Sequence, residues 1–179
     1  MIREFSVRPR PKNQNARHLF FALLGSAAAT VILSYFLSSY KGIVQLGSLI
    51  LLVAAVLIYT RYIGAVYSYE VTFDSDETPI FVVCQFSGKR RTSLCRVDLA
   101  DVIGIETLTN EAYRAYKTES GTKRYNYTPT LNPPEVRLMR VRSRTERADV
   151  FLELSDECRE MLLAYAACAR AERSVNEED

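Results

Sequence analysis

A chain of 179 residues with a formal net charge of +2 has room for about one domain of ordinary size. The charge is unevenly placed: residues 1–18 carry five cations against one anion, residues 19–63 carry only Lys41 and Arg61, and residues 64–179 carry 16 Lys and Arg against 20 Asp and Glu. A mildly acidic soluble part lacks the basic face that phosphate-backbone binding draws on, so nucleic acid is not an expected partner. Four cysteines without a CxxC pair and a single histidine, His18, make no zinc-type cluster, so neither a metal nor a cofactor is expected.

In chain order, residues 1–18 read as a basic arm. Residues 19–37 follow as an uncharged run, spanning roughly 28 Å at the helical rise and so matching the hydrocarbon core of a bilayer. Residues 43–60 are a second uncharged run, extended to 63 if Arg61 snorkels to the interface. A cleaved signal peptide is the alternative for the first run, but signal cores are about 7–15 residues and this one is longer and followed at once by another. Five residues, 38–42, link the runs, which forces an antiparallel transmembrane hairpin over 19–63. The arm is rich in cations and the link has one, so the positive-inside rule puts both termini in the cytoplasm of a multi-pass protein of the cell (plasma) membrane. Tyr35, Tyr40, Tyr59 and Tyr62 sit near the span ends, as interfacial aromatics do. Gly25–Ala29 and Gly47-Ser48 are small enough for close helix approach, within the chain or between chains, or are simply common span residues.

Beyond Gly64 the period changes to two. Tyr67, Tyr69, Val71 and Phe73 alternate with polar residues as a strand with one buried face. Residues 80–86, 91–97 and 102–108 read as further strands, the last with Ile103 and Ile105 inward. Residues 110–117 fit either a short helix or a mobile loop. Strands are expected over 123–128, 135–142 and 148–154, with Pro129, Pro133 and Pro134 breaking the pattern between the first two. A helix over about 156–171 closes the chain, capped by Ser155, with Cys158, Met161, Leu162, Tyr165 and Cys168 on one face. The cysteines read as packed free thiols, with a Cys84–Cys95 hairpin bridge as the alternative. Asn126-Tyr127-Thr128 matches a glycosylation sequon, which would matter only on the outer side of a secretory cell.

The expected fold class is therefore an α+β membrane protein: a two-helix anchor, then an antiparallel barrel or sandwich of about seven strands capped by a C-terminal helix over 64–179. That element order, with the block Lys123-Arg124-Tyr125-Asn126-Tyr127-Thr128-Pro129-Thr130, resembles the bacterial membrane-anchored pleckstrin-homology-like (PH-like) proteins over residues 19–169. The resemblance implies a curved sheet capped by the last helix and no catalysis.

An enzyme is not expected. The domain has no histidine to activate Cys84 or Cys95, and no GxSxG, P-loop, HExxH or GxGxxG. PH domains that bind phosphoinositides use basic residues in the first inter-strand loop, where this chain has Asp74-Ser75-Asp76-Glu77. The cluster Arg137, Arg140, Arg142, Arg144 and Arg147 suits anionic lipid head groups, or else consists of solvent-facing residues paired with Glu135, Glu146 and Asp149. Lys89-Arg90-Arg91 at a hairpin tip divides the same way. The expected function is protein interaction or membrane-complex assembly, with a protein partner or a homo-oligomer, and anionic head-group binding through the arginines as the alternative.

Overall fold

The computed structural model describes residues 2–9, 13–37, 40–75, 77–118, 122–143 and 146–176. The chain divides into two compact units, residues 11–65 and residues 1–10 with 66–179.

The first unit is a helical hairpin. Beyond Arg17 and His18 in the first turns of helix α1 (Gln14–Phe36) and beyond Lys41 at the start of helix α2 (Lys41–Ile58), both helices are uncharged and largely apolar, and α2 runs on through a π-helical turn (Tyr59–Ile63). Only 11% of each apolar stretch is buried. What is buried is small: Ala16, Ala27 and Ser34 on α1, Ser48 and Ala55 on α2. Without a bulky side chain between them the backbones approach closely, and Ser48 Oγ donates to the Ala27 carbonyl at 3.1 Å. The small residues Ala27 and Ser48 thus serve the contact within the chain. Gly64 ends the π turn, where an added Cβ would meet the Tyr59 ring at 3.3 Å.

The second unit is α+β. One four-stranded sheet has the order β1 (Phe5–Val7), β2 (Ala65–Phe73), β3 (Pro79–Ser87), β4 (Arg90–Asp98). A 3-10 turn (Leu99–Asp101) leads to the second sheet. That sheet is built from β5 (Val102–Thr109), β6 (Lys123–Asn126), β7 (Glu135–Arg142) and β8 (Arg147–Leu152), in the order β5-β7-β8-β6. Helix α3 (Asn110–Thr118) lies between β5 and β6 in the chain, so 110–117 is a helix. Helix α4 (Asp156–Asn176) follows β8. Tyr67, Tyr69, Val71, Phe81, Val83, Met139, Leu152 and Leu162 are among the fully buried core residues.

Five details differ from the alternation read in the sequence, the first being that Phe73 at the end of β2 is exposed while Ser68 on the polar side is buried. The basic arm supplies a strand: β1 pairs antiparallel with β2, Phe5 opposite Val71 and Val7 opposite Tyr69. β6 pairs in parallel with β8, so this sheet is mixed; the prolines after β6 cannot donate to a ladder, and the chain leaves the sheet before returning as β7. Ile103 is exposed while Val102 and Ile105 are buried, because the register shifts between Val102 and Gly104 and a bulge reverses the faces. On α4 the buried stripe is Cys158, Leu162, Ala166 and Ala169. Cys168 lies about 80° off that stripe at 100° per residue and is exposed.

Ser155 caps α4 as its sequence position predicts, accepting from the Cys158 amide at 3.3 Å. The far end of α4 is tied down by Arg173, which donates to Asp98 and, at 2.8 Å, to Asp101. All four cysteines are free thiols, and Cys84 sits opposite Ser93 rather than Cys95.

Candidate functional site: an arginine-lined groove on the second sheet

Side chains alternate along β7. Val136 and Leu138 join Phe151 and Tyr113 of α3 in an apolar cluster, with Tyr116 packed against it. The Tyr113 and Tyr116 rings meet Phe151 edge-on, at 5.1 and 6.1 Å between centroids. Arg140 and Arg142 continue that same face beyond the part α3 covers. Cross-strand register places Asp149 of β8 between Arg140 of β7 and Arg124 of β6, and places Arg147 directly opposite Arg142. The result is a groove of about 320 Å³ lined by Arg140, Arg142, Arg147, Asp149, Tyr116 and Thr122.

The two rows differ in charge balance. In the inner row the buried Asp149 accepts from the Tyr116 hydroxyl at 2.9 Å, and the Arg124 guanidinium lies 5.0 Å over the Tyr116 ring. Burial, with the hydrogen bond to Asp149, raises the Tyr116 pKa. Arg140 also reaches Glu106 at 3.0 Å, a pair about half exposed on both sides and so worth little. In the outer row the register sets Arg142 directly opposite Arg147, and both line the groove. Arg142 and Arg147 are exposed, and among the described residues neither has a carboxylate partner.

The structure separates the four arginines singled out in the sequence. Arg140 and Arg142 share the groove. Arg137 has the opposite parity on β7, points to the other face and is only 5% exposed. It donates to the Leu154 carbonyl at 3.2 Å, to Glu135 at 3.3 Å, to Asp156 at 3.1 Å and to Thr107, and so is unavailable to a ligand. Arg144 lies outside the described residues. At the other basic position, Arg91 pairs with Glu70 at 2.6 Å. Sequence reasoning did not find Tyr116, Thr122 or Arg124 as neighbours of this groove, since they come from α3 and the β6 region and meet it only through the fold.

Cys84 is buried with the Arg91 Nε at 3.3 Å, and burial pushes the Cys95 thiol above its ordinary pKa. The Asn126 side chain of the sequon is structurally engaged: its carbonyl accepts from the Thr128 amide and hydroxyl, and its amide donates to Tyr113 at 2.8 Å.

A second polar network holds the proline-rich segment. The Tyr69 hydroxyl donates to the Tyr127 carbonyl at 3.0 Å and accepts from the Glu153 amide at 3.2 Å. The Glu153 carboxylate accepts from the Thr130 amide and hydroxyl at 2.8 and 2.7 Å. Burial raises the Glu153 pKa above its ordinary 4.5, against the opposing pull of the Thr130 bonds. The native state therefore holds this proton more tightly than the unfolded chain. The stability it contributes is full below pH 4.5 and is lost as pH rises through the raised pKa. Glu153→Gln keeps an acceptor for the Thr130 amide and should flatten this fall, read as the urea midpoint of the detergent-solubilised chain between pH 4 and 8. An unchanged slope would contradict the assignment.

No protein-family model and no curated protein matches this chain. What geometry defines is a class: an α+β domain joined to a hairpin of two long apolar helices.

Proposed function

We propose that this chain is an integral protein of the plasma membrane, anchored by α1 and α2, whose α+β unit is a non-catalytic PH-like module for protein interaction or complex assembly on the cytoplasmic face. The observation that carries the anchor is that each helix holds an apolar stretch of 18 residues of which only 11% is buried, a surface that water does not tolerate and lipid does. Support for a common side of the membrane comes from β1. A strand that precedes the hairpin pairs with one that follows it, which requires an even number of crossings. The PH-like reading draws support from the β2–β3–β4 meander, the β7–β8 hairpin and the closing α4, with β1 as an addition and the parallel pairing of β6 as a departure from the expected antiparallel pattern. The first inter-strand turn, with Asp74 and Glu77, gives no support to phosphoinositide binding by the usual PH route.

Assembly through an edge is the working mechanism. β4 is the outermost strand of its sheet, with exposed side chains at Arg90–Ser93, and such an edge can accept a strand from a partner or a second copy. Photocrosslinkers at positions 91–93 in native membranes should yield one adduct of defined mass. Monomer alone at every position would remove the edge from the account. A second reading, binding of anionic head groups, is favoured by the outer arginine row alone.

A further inference from the structure

We propose that the groove bounded by Arg142 and Arg147 binds a phosphate group, and that these two guanidinium groups are its direct ligands. The proposal rests on the second reading above and narrows it to one pair of residues and one ligand chemistry. Like charges directly opposite each other across an antiparallel pair are destabilising. Here the pair lacks a carboxylate partner among the described residues, although Asp149 stands one row away and is held by Tyr116. Two forked, permanently charged donors facing one space are the arrangement that recognises tetrahedral oxyanions, each able to give paired hydrogen bonds. Thr122 adds a hydroxyl at the rim. The volume, about 320 Å³, lies at the small end of ligand sites and suits a phosphate with a short organic substituent. Asp149 does not cancel the site, because register sets Arg140 on one side of it and Arg124 on the other.

The source of the phosphate, a lipid head group or a soluble phosphate ester, is resolved by the test. The full chain is purified in neutral detergent and titrated with inorganic phosphate and sn-glycerol 3-phosphate. In parallel it is reconstituted in phosphatidylcholine nanodiscs with and without phosphatidic acid, and the shielding of its exposed thiol is followed. Saturable binding of a soluble probe, weakened at least about tenfold by Arg142→Ala or Arg147→Ala and progressively by salt, supports the groove with a soluble ligand. A response confined to phosphatidic acid and lost in the same variants supports it with a lipid ligand. Arg147→Ala should also leave the melting temperature unchanged or raise it by roughly 1–3 °C, because it relieves the facing charges. Loss of binding through unfolding would lower it. Binding of neither probe, or binding unaltered in both variants, overturns the proposal. A phosphatidic acid response that survives Arg142→Ala/Arg147→Ala overturns it while leaving the head-group reading standing elsewhere on the domain. Soluble binding without any lipid response supports the groove and removes the head-group reading.

Discussion

Arg137→Ala is expected to cost about 3 kcal/mol of folding stability and to leave anion binding unchanged. The side chain links three parts of the second unit: Thr107 on β5, the Leu154 carbonyl after β8, and Asp156 in the first turn of α4. Each hydrogen bond to a charged group contributes about 1.5–3 kcal/mol net. Two considerations set the total. The partner carboxylates Glu135 and Asp156 are 62% and 75% exposed, so they rehydrate when the arginine is removed, and the larger penalty of an uncompensated buried charge does not apply. The Leu154 carbonyl and the volume vacated by the side chain do add cost. For a chain of this length the melting temperature should fall by roughly 6–12 °C, read from the near-ultraviolet dichroism of the tyrosines. A variant that melts like the parent while losing affinity for anionic lipid would return Arg137 to the binding surface.

Tyr69→Phe should cost about 2–3 kcal/mol, although it removes one oxygen. That hydroxyl donates to the Tyr127 carbonyl and accepts from the Glu153 amide, and the phenylalanine removes both contacts at once. Burial pushes the Tyr69 hydroxyl far above its ordinary pKa, so it stays a neutral donor throughout the physiological range. The change should appear locally first, as faster hydrogen exchange at the Glu153 amide. Tyr127→Phe provides the contrast. Its hydroxyl reaches the Leu94 carbonyl at 3.3 Å from a half-buried position, and its loss should cost under about 1 kcal/mol. Equal costs for the two substitutions would mean that ring packing, not the hydroxyl bridge, dominates at Tyr69.

Much of the second unit was legible because each signal was local. Tyr67, Tyr69 and Val71 alternate with polar residues and are buried, and Ser155 caps α4 because a hydroxyl precedes an acidic first turn. β1 was not legible, since Phe5 and Val7 are two apolar side chains among arginines and only the partner strand gives them meaning. The bulge at Gly104 reversed the burial of Ile103, and a single glycine in a strand does not say which way a register shifts. For the arginines the parity was already in the numbers. Arg137 shares odd numbering with the inward-facing Met139, while Arg140 and Arg142 are even, so one face could never have held all three. The pairing of Arg142 with Arg147 could not be read, because it depends on the length of a turn rather than on the residues that flank it.

Thiol accessibility in whole cells decides whether α1 and α2 form a membrane hairpin with the α+β unit on the cytoplasmic side. Cys168 is exposed on α4, and Gly42 is the second residue of α2, beside the link between the helices. An impermeant maleimide should label Gly42→Cys in intact cells and should label Cys168 only after the membrane is opened, with the chain resisting extraction at alkaline pH. Labelling of Cys168 in intact cells, or release of the chain by alkali, would contradict this topology.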